Sequence, residues 1–256
     1  MRDPHCSLFQ QSVKLGIIRR FALYLQTIDS QTEVPPQHLL TCSYKRPTPY
    51  IYTINEIREI QVALLNLPSK CQMERYTLYT IFGLLAATGM RINEALSLRY
   101  DSLDLIRGLI TIRESKFKKS RIIPIHASVK NELKKYAIYR DKHCVVKSSS
   151  FFFVTVRGNE FRADSFRKAF AEALVLAGLK WEQNHKPRVM GLRHTFATMT
   201  LARCHKEKRG ATAMLVALSR YLGHENPANT YWYFSATPEL LRYINNRLEE
   251  TFGGDL

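Results

Sequence analysis

The chain has 256 residues, 45% of them hydrophobic and 11% aromatic, enough to bury on the order of 70% of its unfolded surface and so to exclude disorder as its main state. With 11 Gly, 10 Pro and no run of one residue type, collagenous, coiled-coil and low-complexity architectures fail as well. The 38 Lys and Arg against 22 Asp and Glu leave a net charge of +16 with no stretch near the roughly 18 apolar residues of a membrane span, which points to a polyanion partner because each phosphate neutralised releases condensed counterions.

Along the chain, Val13, Ile17, Phe21, Tyr24 and Ile28 recur at helical spacing, with Lys14, Arg19 and Arg20 on the other side, predicting an amphipathic helix over 12–28. Segment 33–49 carries four prolines, basic residues and no period, so it reads as an extended linker. Thr53-Ile-Asn-Glu56 has the form of a capping box opening a helix through Leu65, and an apolar helix over 73–87 is stopped by Gly89. The β-branched runs 109–113 and 121–125 flank the basic turn Ser115-Lys-Phe-Lys-Lys-Ser120 and predict a hairpin, with a third strand over 150–156. Helices follow over 128–141, with Val129, Leu133 and Tyr136 inward, and over 164–177, with Phe166, Phe170 and Leu174 inward and Gly178 as the stop. Three more are predicted over 191–203, 211–222 and 238–250, the last capped by Thr237 with Pro238 at its first position. The expected fold is mainly α with a small antiparallel β-sheet. Cys6, Cys42, Cys71, Cys144 and Cys204 are odd in number and never paired as C-x-x-C, which argues against a disulfide framework and a zinc knuckle.

The sequence lacks a phosphate-binding GxxxxGK[ST] loop, a GxGxxG turn, an HExxH helix and a deaminase-type HxE with PCxxC, so no nucleotide, metal or other cofactor is expected. Three segments stand out instead: Ala87-Thr-Gly-Met-Arg91-Ile-Asn-Glu94-Ala-Leu, Gly191-Leu-Arg193-His194-Thr-Phe-Ala-Thr198, and Tyr221-Leu-Gly-His224 running on to Tyr231-Trp-Tyr233. In this order they resemble the catalytic domain of the tyrosine recombinase or phage integrase family, over roughly residues 48–250. The resemblance implies that Arg91 and Arg193 are the paired arginines, His224 the late histidine, Tyr233 the nucleophile and Lys116 the lysine of the hairpin turn. It implies a double-stranded DNA partner, cleavage and rejoining through a 3′-phosphotyrosyl intermediate, and self-association on DNA through the C-terminal helix, residues 238–252. Residues 48–256 are then the catalytic domain, and 1–47 the remnant of a truncated core-binding domain plus linker. Lys45, Arg46, Lys118, Lys119 and Arg121 are expected on the DNA backbone, and the protein in the cytoplasm, on the bacterial nucleoid when DNA-bound.

The chemistry suits these residue types. Attack by a phenol on a phosphodiester builds charge on the non-bridging oxygens, and two guanidiniums offer them planar, permanently charged forks. A phenol of pKa near 10 is about one part in a thousand ionised at pH 7, so it needs a cationic site or a base. Each residue also has an ordinary alternative: Arg91 pairing with Glu94, Arg193 a solvated helix charge, His224 a helix C-cap, Lys116 a backbone contact, and Tyr231 to Phe234 packing aromatics, with Tyr231 a rival nucleophile. One position departs from the family pattern: Met190 stands three residues before Arg193, where a histidine is usual, and a thioether exchanges no proton. Neither His194, about 100° around the same helix, nor His185 in the preceding loop is expected to replace it. Activity is therefore expected to be impaired. The alternative is a DNA-binding relative that competes with a full-length recombinase, and a third reading is a topoisomerase-like nickase.

Overall fold

The computed structural model describes residues 7–40, 49–113, 120–146, 149–181, 186–206 and 211–224. The chain divides into two compact units, Met1–Thr48 and Pro49–Leu256. In the first unit, α1 (Leu8–Gln26) starts four residues before the expected 12. Ser7 and Gln10 form a reciprocal capping box that fixes this earlier start, a signal the apolar spacing alone does not carry. The chain then turns back along the helix: Arg19 Nε donates to the Pro35 carbonyl at 3.0 Å and Ser12 Oγ to that of Leu40 at 2.9 Å. Up to residue 40 the proline-rich segment is thus folded onto α1 rather than extended. The expected end of that helix at Ile28 also shortens, with Thr27 as its C-cap.

The second unit is built around α3 (Gln72–Thr88), which packs against α2 (Ile54–Leu65), α5 (Ala127–His143) and α7 (Val189–Lys206). Apolar and small residues on most of its circumference make a central helix the only way to remove it from water, and Leu78, Ile81, Phe82, Leu84 and Leu85 are all buried. Its threonines satisfy their own hydroxyls, as where Thr77 Oγ1 donates to the Met73 carbonyl at 2.9 Å. The predicted capping box is present at α2, where Thr53 and Glu56 bond reciprocally. α6 (Ala163–Leu176) packs on α2 and buries Phe166, Ala169, Phe170 and Ala173, with Phe170 stacked on Phe82 of α3, and Gly178 ends it with φ +66°. α4 (Ile92–Leu96) is a single turn between α3 and the sheet, and α8 (Ala211–Leu222) packs on α7.

The sheet is antiparallel, in the order β1 (Leu103–Asp104), β2 (Leu109–Ile112), β3 (Arg121–Pro124). β2 and β3 form the predicted hairpin, with Ile112 opposite Arg121, and Ile110, Ile112 and Ile123 point to the core. The third strand is not the expected 150–156. That stretch makes only isolated bridges, Phe151 to Arg99 and Val154 to Glu160, although Phe152, Phe153 and Val154 are all fully buried in the core. The two-residue β1 takes its place, too short to leave a period in the sequence. The expected helix over 238–250 lies outside the described residues.

Candidate active site

α3 ends because Gly89 adopts φ +61°, the left-handed conformation that a residue without Cβ enters without strain. Two residues on, Arg91 caps α4: its N–H donates to Glu94 Oε2 and its Nη1 to Glu94 Oε1, both at 2.9 Å. The ordinary pairing with Glu94 is therefore real, yet it does not use up the guanidinium, since Nη2 reaches the Gly223 carbonyl at 3.2 Å. Glu94 also takes two bonds from Arg121, at 2.9 and 2.7 Å. Burial opposes its charge, but these bonds from Arg121, with those from Arg91, outweigh it and hold the carboxyl below the usual carboxylate range.

Arg193 comes from the first turns of α7 and is no solvated helix charge, being only 3% exposed. Its Nη1 donates to the Gly89 carbonyl at 3.0 Å and its Nη2 to the Leu222 carbonyl at 2.6 Å. Both carbonyls lie at helix C-termini, of α3 and α8, where the negative ends of the dipoles compensate a buried guanidinium. α7 can come this close because Gly191 lacks a side chain: a Cβ there would stand 2.8 Å from Tyr52 Cε2 and 2.9 Å from the Tyr50 carbonyl oxygen. Tyr52 fixes the same turn, its backbone N–H donating to Thr195 Oγ1 and its hydroxyl to the Arg188 carbonyl, both at 2.9 Å.

α8 stops at Gly223, φ +67°, and the His224 N–H returns to the Ser219 carbonyl at 3.0 Å. His224 is thus a helix-terminating residue and also a neighbour of the arginines. Burial, then the charges of Arg193, Arg91, His194 and Arg121, push its imidazole down to about 4, so at neutral pH it is an uncharged hydrogen-bonding group. Three guanidiniums with a single carboxylate among them leave an excess of positive charge suited to an anion. Beside it opens a cavity of about 350 Å³ whose lining includes Arg91, Arg193, Lys186, Arg188, Arg167 and Met190. Met190, 49% exposed, occupies this cavity with no group able to exchange a proton.

Arg91, Arg193, His224 and Met190 therefore come together, from separate parts of the sequence. Arg121, expected on DNA phosphate, instead turns inward onto Glu94 and the Tyr221 carbonyl, the latter at 2.9 Å from Nε. That shared use of Glu94 escaped the sequence reading, since 27 residues separate it from Arg121 and no period links them. Lys116, Lys118, Lys119, Lys45, Arg46, His185, Tyr231 and Tyr233 lie outside the described residues. Burial pushes Tyr221 up to about 12 despite Arg121, and raises Tyr52 too, so neither of these nearby phenols is activated. Among the described residues no group of three His, Cys, Asp or Glu could hold a metal ion, and no helix is long and apolar enough to cross a membrane.

The profile of the phage integrase family matches residues 55–239. The chain is 35% identical over 243 residues to y4rB of Sinorhizobium fredii, a protein named as an integrase/recombinase, covering 93% of this chain and 77% of the relative. It is 26% identical over 233 residues to the tyrosine recombinase XerD of Staphylococcus saprophyticus, covering 91% of this chain and 73% of the relative. Among solved structures it is similar in fold to the XerH site-specific recombinase in a post-cleavage complex with a palindromic difH substrate, with TM-score 0.68, 21% identity, and coverage of 96% of this chain and 67% of that one. The Tn1549 transposon integrase in complex with transposon right end DNA gives TM-score 0.65 at 17% identity, over 94% of this chain and 81% of that one.

Proposed function

The chain belongs to the phage integrase family of tyrosine recombinases, and from that premise we propose that it breaks and rejoins DNA strands in site-specific recombination, with Tyr233 as the nucleophile. The observation that carries this reading is the pair Arg91 and Arg193, held on consecutive carbonyls of one turn, Leu222 and Gly223, beside a cationic cavity. The Tyr233 hydroxyl gives its proton to solvent water as its oxygen attacks the phosphorus of a backbone diester, the bond from phosphorus to the 5′-oxygen breaks, and a 3′-phosphotyrosyl linkage keeps the energy of the broken strand. The two guanidiniums neutralise charge that grows on the non-bridging oxygens, and loss of one such preorganised donor raises a barrier by about 3 kcal/mol. Neutral His224 donates a hydrogen bond there, and the proton needed by the leaving 5′-oxygen is assigned to Lys116. Rejoining reverses these steps with a 5′-hydroxyl. Residues 48–256 carry this chemistry, residues 1–47 and Lys118 and Lys119 add contacts to the duplex, and segment 238–252 joins protomers on DNA. The thioether of Met190 supports a slow enzyme, because general acid–base help is worth roughly 10² to 10⁴ in rate.

The test uses nicked suicide duplexes selected by binding from a randomised pool. The parent should form a covalent protein–DNA adduct on denaturing gels, and Tyr233→Phe should abolish it while leaving noncovalent affinity within about twofold, since one hydroxyl adds little beside many phosphate contacts. An adduct that survives Tyr233→Phe and disappears with Tyr231→Phe moves the nucleophile to Tyr231. No adduct from parent or variants overturns the catalytic reading and leaves a protein that only occupies DNA.

A further inference from the structure

Arg121 opens β3 at the foot of the basic hairpin, and its three donor groups all turn back into the protein. Nη1 and Nη2 meet the two oxygens of Glu94 at 2.9 and 2.7 Å, while Nε meets the Tyr221 carbonyl at 2.9 Å. Each oxygen of Glu94 also takes one bond from Arg91, to Oε1 from Nη1 and to Oε2 from the backbone N–H. Arg91 in turn reaches the carbonyl of Gly223, two residues past Tyr221. The contacts close a ring through β3, α4 and the end of α8. The ring is tight: a Cβ at Gly223 would lie 2.8 Å from Arg121 Nη1 and 3.0 Å from its Cζ. With its side chain 12% exposed, Arg121 presents little of its charge to a partner in solvent.

We propose that Arg121 is a positioning residue for strand cleavage, one that fixes Arg91 through Glu94 and the His224 turn through the Tyr221 carbonyl, so that the base of the hairpin sets the geometry of the site. This rests on the reading of the site as a strand-cleavage centre. The planar fork is what the role needs, because a lysine ammonium keeps the charge but cannot meet both carboxylate oxygens and a carbonyl at once. A misplacement of Arg91 by about 1 Å is enough to cost on the order of 100-fold in rate.

Two variants, Arg121→Ala and Arg121→Lys, separate fork from charge. In single-turnover cleavage at saturating protein and low salt, both should be slowed about 10- to 100-fold, with DNA affinity within about threefold of the parent. In the free protein, an NMR titration of the His224 imidazole should rise from near 4 in Arg121→Ala and stay closer to the parent in Arg121→Lys. The other groups that act electrostatically on that ring, Arg193 and His194 from α7 and Arg91 from α4, are present in both. Unchanged cleavage with weaker binding, and a salt slope shallower by about one, marks Arg121 as a phosphate contact and overturns the proposal. If Arg121→Ala does not fold, the cleavage rate of Arg121→Lys decides alone. A parent that forms no adduct sinks the functional reading and this proposal with it, whereas a parent adduct with unchanged cleavage in both variants overturns the proposal alone.

Discussion

At the scale of single residues, Met190 lies three positions before Arg193 on α7 and shares its cavity with both arginines. Met190→His should raise the single-turnover cleavage rate, by about 10-fold or more, since the introduced imidazole can take and give a proton beside the reacting phosphate. The gain should be largest near neutral pH, where an imidazole with the ordinary pKa of about 6.5 can both take and give a proton. A rate unchanged from pH 6 to 8, with Tyr233→Phe still inactive, would show that position 190 plays no part in proton transfer. Met190, Arg91, Arg193 and His224 were all legible as candidates, because motif order and spacing survive in the linear sequence. Their fixings were not. The carbonyls of Gly89, Leu222 and Gly223 belong to the main chain, which has no residue identity to read, and the Arg121–Glu94 fork joins positions with no common period.

At the scale of elements, the end of α3 illustrates how a turn becomes part of the site. Gly89 ends the helix, offers its carbonyl to Arg193, and lies so close to Phe196 that a Cβ would stand 2.6 Å from Phe196 Cδ1. Gly89→Ala combines left-handed strain of about 1–2 kcal/mol with that clash, so we expect roughly 3 kcal/mol of destabilisation and a calorimetric melting temperature lower by about 6–12 °C. Gly16 is the contrasting case, inside α1 with nothing within 4 Å of its virtual Cβ, and Gly16→Ala should be neutral or stabilising by about 0.5–1 kcal/mol. Equal effects of the two substitutions would contradict the packing at Gly89. Among the described residues the long helices and the hairpin were legible because each has a cap, a stop or a period: α8 has its predicted bounds and α2 its predicted box, whereas the single turn of α4 was not foreseen. The 150–156 stretch misled because Phe152-Phe153-Val154 is as apolar as a buried strand, and an apolar run does not say whether its backbone finds a ladder.

At the scale of the whole molecule, a net charge of +16 sets how binding answers to salt. The logarithm of DNA affinity should fall linearly with that of salt, and Lys118→Ala with Lys119→Ala should flatten the slope by about 0.9 for each phosphate those lysines neutralise. The cleavage rate at saturating protein should change far less, because such charges act before and during the transition state alike. A slope identical to the parent's would remove the hairpin turn from the DNA interface. The arginine cradle has a different reach. Arg193 rests on Gly89 and Leu222, and Arg91 reaches Gly223, in each case through carbonyl oxygens that every amino acid carries. Mutation at Leu222 can change the side chain and leave the oxygen in place. The hold on the two guanidiniums therefore depends on the course of the backbone through these turns and on the empty space beside Gly89 and Gly223, not on the side-chain chemistry of the residues that supply the oxygens.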